Sequence, residues 1–401
     1  MKRTALAIGI LLLALGAVVV IPRWREPREP QYQGRSLRKW LDRWESSDKD
    51  GDSPEAVAIK KIGTNALPVL LTWVPRHNSA LKSWWMDAFT KQDWVPYHPA
   101  FAPSQSEYAV TAFEVLGTNG APAVPGLLRL LHQRDSQVRA DAALCLGEIA
   151  DGAKAAVSEL SGALGDKDDD VRAEAAWALG NIHGQPEKVV PRLLEAFTHN
   201  QEPSVCAAIV TALGNYGPDA SEATPRLLKL LNTPAGQELP DEQVRSAAVY
   251  ALGEIGANPA EAVPVLIGEL RDPDAEVRSQ AAQGLGKFGT AAKEAIPALI
   301  RLLPESSLDA DDEEDMAELR GSAAEALGEI GCDPATVVPA LIATLRDSDA
   351  AARQQKVEAL GSFGTDAAAA LPPLKRLLED DDAQVRESTT NALREIRGAD
   401  K

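Results

Sequence analysis

The 401-residue chain carries 41 Lys and Arg against 59 Asp and Glu, a net charge of −18 with histidine neutral. That balance excludes a general nucleic-acid binder, because a polyanion would be repelled. At 45% hydrophobic and 25% charged it is too apolar for a disordered chain, and three scattered cysteines without a CxxC pair exclude a disulfide framework and a structural zinc site.

In chain order, the first element is an uncharged run from Thr4 to Ile21, preceded by Lys2 and Arg3 and ended by Pro22 and Arg23. As a helix it would cover roughly 27 Å, close to the apolar core of a bilayer. Its one small-x-small site, Ala14-Leu15-Gly16, lies inside the run. The expectation is an uncleaved, single-pass N-terminal transmembrane helix within residues 1–30, with the bulk of the protein extracytoplasmic, in the periplasm.

Residues 31–105 read as an aromatic-rich N-terminal cap holding a degenerate first repeat, from Gly63 through Pro68 to Trp73, and an insertion at 76–105. The insertion contains Trp84, Trp85 and Trp94. Two readings stand: rings that cover the open end of a repeat stack, or anchors of a partner-binding surface.

From 106 to 401 the chain repeats. Aligned on Ala-Leu-Gly-Glu-Ile-Gly at 251–256, the last position recurs at Gly117, Ala150, His183, Gly217, Gly256, Gly289, Gly331, Gly364 and Arg397. A second marker follows eight residues later, a proline in every unit but one, where Ser158 stands. Each unit predicts two helices. The first has apolar positions at helical spacing, as in Val277, Ala281, Ala282 and Leu285, and stops at glycines such as Gly286 and Gly289. The second is expected to start at the marker proline, whose missing N–H is harmless in a first turn. An Asp four residues before an Arg opens most first helices, as in Asp135/Arg139 and Asp274/Arg278; the Asp can cap, and the Arg can bond it or the adjacent repeat. Where Cys206 replaces the Arg and Met316 the Asp, the ladder is expected to weaken. Neither helix can bury its apolar face alone, so about nine pairs must stack into an all-α solenoid.

The pattern Asp-x-Asp-x-x-Val-Arg-x-x-Ala-Ala-x-x-Leu-Gly, as at 272–286, resembles the HEAT repeat of the phycobilisome-lyase-like, EZ-type subclass. The resemblance implies a right-handed superhelix without a sheet. Tyr32-x-Gly34-Arg35-x-Leu37-x-x-Trp40-Leu41 resembles the lead-in of membrane-anchored bacterial HEAT-repeat proteins without an assigned activity.

Catalytic signals are sparse. The five histidines form no HxxH or HExxH pair, and the acidic runs at 309–315 and 48–52 lack the order of a calcium-binding EF-hand loop. No metal, cofactor or enzymatic activity is expected. The functional reading is a membrane-tethered protein-interaction scaffold, with a lyase-like chaperone attaching a chromophore or cofactor to a client as the alternative. With the second helices taken as the inner surface, a basic stripe emerges at Arg129, Lys229, Arg301 and Arg376, flanked by Arg192, Arg226, Arg271 and Arg346. Such a stripe would receive an acidic protein segment or peptide.

Overall fold

A computed structural model describes residues 27–45, 51, 53–76, 103–232, 241–304 and 313–398. They fall into two compact units, Met1–Gly184 and Gln185–Lys401. The division lies inside the stretch read from sequence as one solenoid.

The first unit opens with a hairpin in which Gln31–Tyr32 pairs antiparallel with Arg35–Ser36 around Gln33 and Gly34, both at positive φ. This small ribbon is the one departure from an all-helical chain among the described residues. The helix Leu37–Glu45 then buries Leu37, Trp40, Leu41 and Trp44. Trp73 and Tyr108 are buried too, and the Arg38 guanidinium lies over both rings. These aromatics are buried where the helix Leu37–Glu45 packs against Pro54–Ile62 and Gln105–Leu116. Trp84, Trp85 and Trp94 lie outside the described residues.

Among the described residues no helix is long and apolar enough to cross a membrane. The expected single-pass anchor and the extracytoplasmic placement built on it are corrected accordingly. Residues 4–21, where the anchor was placed, lie outside the described residues. Even the longest described helix, Glu313–Ile330, is too charged to cross a membrane, with Glu318, Arg320, Glu325 and Glu329 among its 18 residues and Arg320 paired with Asp347 inside the stack.

Each repeat is the expected pair. Val277, Ala281, Ala282 and Leu285 are fully buried along one side of the first helix Ala275–Lys287. The marker series is a series of left-handed residues: Gly117, Gly217, Gly256, Gly289, Gly331 and Gly364 all have positive φ, and so do Ala150 (φ 51) and His183 (φ 48), where no glycine is present. At the C-terminal end the position falls on Gly398 rather than Arg397. A side chain in this region meets the following carbonyl, so Ala150→Gly is expected to raise stability by roughly 0.5–1 kcal/mol after allowing for the freer unfolded chain. Urea unfolding checks this, and no gain would mean the neighbours of Ala150 repay its strain.

Two linkers follow the left-handed residue. In one, a 3-10 turn such as Gly289–Ala295 leads into a second helix that begins one residue before the marker proline, as in Ile296–Ile300. In the other, Gln185, Asn258 or Asp333 takes a left-handed conformation, and an earlier proline starts the helix: Pro186–His199, Pro259–Glu269 and Pro334–Ala343. The marker prolines Pro191, Pro264 and Pro339 then sit inside the helix, so the expected start at the marker is wrong for these three units. A second proline five residues earlier supplies the first-turn start instead.

The inner glycine of each Leu-Gly pair has a different role from a helix stop. Gly253 lies within Glu242–Ile255, and a Cβ there would come 2.5 Å from the Cα of Gly284 in the next first helix. Gly214 faces Ala251 and Gly328 faces Ala359 at similar range. These glycines let the first helices meet backbone to backbone.

An arginine ladder locks the repeats together. Arg139 donates from Nε and Nη2 to the Asp166 carboxylate at 2.8 and 2.7 Å. Arg245 bonds Asp272, Arg320 bonds Asp347 and Arg353 bonds Asp380 in the same two-pronged way, always 27 residues onward. The acceptor is the first Asp of the Asp-x-Asp pair; the second caps its helix at Asp274, Asp349 and Asp382, as Asp274 does by accepting from the Val277 N–H, while Asp168 makes no such bond. Hydrogen bonds from Arg139 and Arg353 hold the Asp166 and Asp380 carboxyls below their ordinary range.

At Cys206 the rung reduces to an Sγ contact with the Asn200 carbonyl at 3.6 Å. At Met316 the expected weakening does not occur, because Arg320 still reaches Asp347 at 2.7 Å and the buried Lys356 adds a bond at 2.6 Å. Burial pushes the Asp347 carboxyl up, but the bonds from Arg320 and Lys356 outweigh it and hold the group below its ordinary range.

Candidate functional site

In the first helices of the unit from Gln185, the residues two before and two after a buried leucine (Leu213, Leu252, Leu285, Leu327, Leu360 and Leu393) stand one helical turn apart on an open side. They are Thr211 and Asn215, Tyr250 and Glu254, Gln283 and Lys287, Glu325 and Glu329, Glu358 and Ser362, and Asn391 and Glu395. All are exposed or half-buried. Their mutual contacts run from repeat to repeat: Tyr250 Oη donates to Asn215 Oδ1 at 2.9 Å, Gln283 Nε2 to Ser322 Oγ at 3.2 Å, and Ser388 Oγ to Glu358 Oε1 at 2.7 Å. Lys287 Nζ lies 3.8 Å from Glu254.

Two grooves open on this face. One, of about 330 Å³, lies between Thr211, Ser246, Tyr250 and Gln280; the other, of about 640 Å³, lies between Glu358, Ser362, Asn391 and Glu395. The unit ending at Gly184 has a comparable groove of about 470 Å³ beside Thr111, Gln137, Asp141 and Leu144.

Packing decides which side of the stack is inner. The first helices of the unit from Gln185 touch through bare backbone at Gly253 and Gly284, whereas its second helices, such as Thr224–Leu231 and Pro259–Glu269, meet sparsely. A stack spaced more closely along one edge curves toward that edge. Within this unit the first-helix face is therefore the inner one, contrary to the expectation that the second helices line it.

Seven residues of the basic stripe lie on or beside the second helices of the unit from Gln185, and Arg129 lies on a second helix of the other unit. All eight stripe residues are exposed. Arg192 is tied to Glu195 at 2.8 Å, Arg226 donates to the Leu194 carbonyl and to Thr198 Oγ1, and Arg301 Nε bonds the Pro297 carbonyl. Arg271 and Arg346 lie beyond the ends of their helices, Pro259–Glu269 and Pro334–Ala343. Arg129, Lys229 and Arg376 lie on helix surfaces, one each on Val124–Leu130, Thr224–Leu231 and Leu371–Leu377.

Among the described residues no group of three His, Cys, Asp or Glu could hold a metal ion. Cys145 is fully buried, and burial pushes its thiol well above the ordinary range, which suits a core residue and not a nucleophile. In the unit ending at Gly184, burial first and neighbouring carboxylates second raise Glu148 and Glu174 to about 7. Each then binds its proton more tightly folded than unfolded between about pH 4.5 and 7, so stability falls as pH rises through that window. The melting temperature is expected to drop from pH 5 to pH 8, and Glu148→Gln with Glu174→Gln to reduce the slope. An unchanged slope in the double variant would contradict the assignment.

A family model described as HEAT repeats matches residues 102–180, 157–239, 235–317 and 308–394. The chain belongs to the HEAT-repeat family. No curated protein matches it. Among solved structures, importin beta is similar at 16% identity and a TM-score of 0.56, over 90% of this HEAT chain and 49% of importin beta. An engineered protein covers 90% of this chain and 98% of its own at 22% identity and a TM-score of 0.40. The Escherichia coli protein YibA covers 75% and 99% at 21% identity and a TM-score of 0.47. At these identities the likeness to importin beta supports the helical solenoid fold and nothing narrower.

Proposed function

We propose that this HEAT-repeat chain is a protein-interaction scaffold without catalytic activity, and that its partner docks on the first-helix face of the unit from Gln185. The observation that carries this is the row of paired open positions from Tyr250 to Glu395 on the close-packed edge, with a groove at each end. Interfaces are commonly anchored by aromatic side chains in such grooves, and Tyr250 is the one placed for it here. Nothing among the described residues favours the lyase-like alternative.

The test is a pair of variants compared for capture of the stoichiometric partner from native extract. Tyr250→Ala with Gln283→Ala is expected to lower capture at least tenfold. Arg129→Glu with Lys229→Glu and Arg376→Glu, on the second-helix row, is expected to leave it unchanged. The reverse pattern would move the docking surface to the basic stripe.

A further inference from the structure

We propose that the first-helix face of the unit from Gln185 accepts a basic segment of a partner protein, an extended stretch with a lysine or arginine at about every third residue. The inference deepens the scaffold reading and rests on it. The face presents Glu254, Glu325, Glu329, Glu358 and Glu395; of the cations beside them, Lys287 is held against Glu254 and Arg394 donates to Asn391 at 3.3 Å. Cations of the same unit are placed elsewhere. Arg245, Arg320 and Arg353 are consumed in the buried ladder, while Arg226, Lys229, Arg301 and Arg376 lie on the second helices. Segregation of charge, more than the net charge of the chain, marks the face.

The arrangement of the carboxylates selects the class of ligand. From Glu254 to Glu395 every first helix but Ala275–Lys287 contributes a glutamate, Glu325 and Glu329 standing a turn apart on one helix, and they do not converge; among the described residues no three acidic groups could share a metal ion. A point charge would satisfy one glutamate and leave the others facing each other. Burial and then Glu325 raise Glu329 above its ordinary range, so the face carries charge at an energetic cost when empty. Packed helices stand roughly 8–10 Å apart, and an extended chain advances about 3.3 Å per residue, so each repeat spans about three residues of a docked segment. The grooves at Tyr250 and at Ser362 offer room for side chains at the two ends of that path. The acidic segment expected from the second-helix stripe is the opposite of what this face complements.

Fluorescence anisotropy of the full chain with a labelled (Lys-Ser-Gly)5 peptide at low salt tests the proposal. Binding is expected, with a loss of about tenfold or more in the variant carrying Glu325→Gln, Glu329→Gln, Glu358→Gln and Glu395→Gln, and a similar loss when salt shortens the screening length. A peptide of the same composition with its lysines gathered at one end should bind about threefold more weakly. If the quadruple variant unfolds, Glu325→Gln and Glu358→Gln separately should each cost about threefold. Equal binding of (Glu-Ser-Gly)5, no binding of the lysine peptide, or affinity unchanged by the substitutions would overturn the inference. Native partner still lost on Tyr250→Ala with Gln283→Ala but captured normally by the quadruple variant would leave the scaffold reading standing and remove the basic segment alone.

Discussion

Replacing Asp347 by alanine is expected to destabilise the unit from Gln185 by about 3–5 kcal/mol, because it strands two buried cations at once. Arg320 and Lys356 are at most a few per cent exposed, and both point at this one carboxylate. Lys356→Met should behave very differently. Asp347 keeps its two bonds from Arg320 and the N–H of Asp349, and an apolar side chain replaces a buried ammonium that otherwise relies on the Leu303 and Thr344 carbonyls. The expected change is within about 1 kcal/mol of zero, or a gain. Urea unfolding of the two variants checks the contrast. Equal losses would mean that Lys356, and not the arginine rung, holds the repeat.

Gly253→Ala is expected to cost about 1–3 kcal/mol even though alanine is the better helix former. The added methyl would sit 2.5 Å from the Gly284 Cα, where no flexible side chain can move aside. The first helices would have to separate, which also opens the row on which the proposed docking face depends. Gly268, with open space around its Cβ position, is the internal control: the same substitution there should stabilise by helix propensity alone, about 1 kcal/mol. A harmless Gly253→Ala would show that the first-helix row is looser than described.

The helical pairs were legible because the repeat states them many times over: buried positions such as Val277, Ala281 and Leu285 recur at fixed offsets, and the left-handed position is marked by glycine in most units. Ala150 and His183 show that register, and not residue type, carries that signal. The ladder was half legible. A residue-to-residue pattern exposes the Asp and Arg of one helix entry, but the acceptor of each arginine lies 27 residues onward, and no local pairing at four-residue spacing points to it. Cys206 was readable as a weak rung because the replacement is local; Arg320 was not, since its partner Asp347, and the Lys356 that shares that carboxylate, come from the following repeat.

The site was the least legible part. Which row of helices is inner depends on how closely backbones approach, and the residues that set this, Gly253 and Gly284, look like ordinary helix stops in a sequence. Taking the second helices as inner led to Arg129, Lys229, Arg301 and Arg376. The positions that line the close-packed edge, Tyr250 through Glu395, lie just before and within the segments on which the repeats align, and vary in type from repeat to repeat. The anchor at residues 4–21 was read from the length of the uncharged run, its flanks and the small-x-small site inside it, and receives no support from any described helix.

Site-specific crosslinking tests the central claim most directly. With a photoreactive residue at position 283 on the first-helix row, or at position 229 on the second-helix row, the full chain is irradiated in native extract and the adducts are mapped. The account expects a single stoichiometric protein adduct at 283 and none at 229. An adduct at 229 with none at 283 would contradict it.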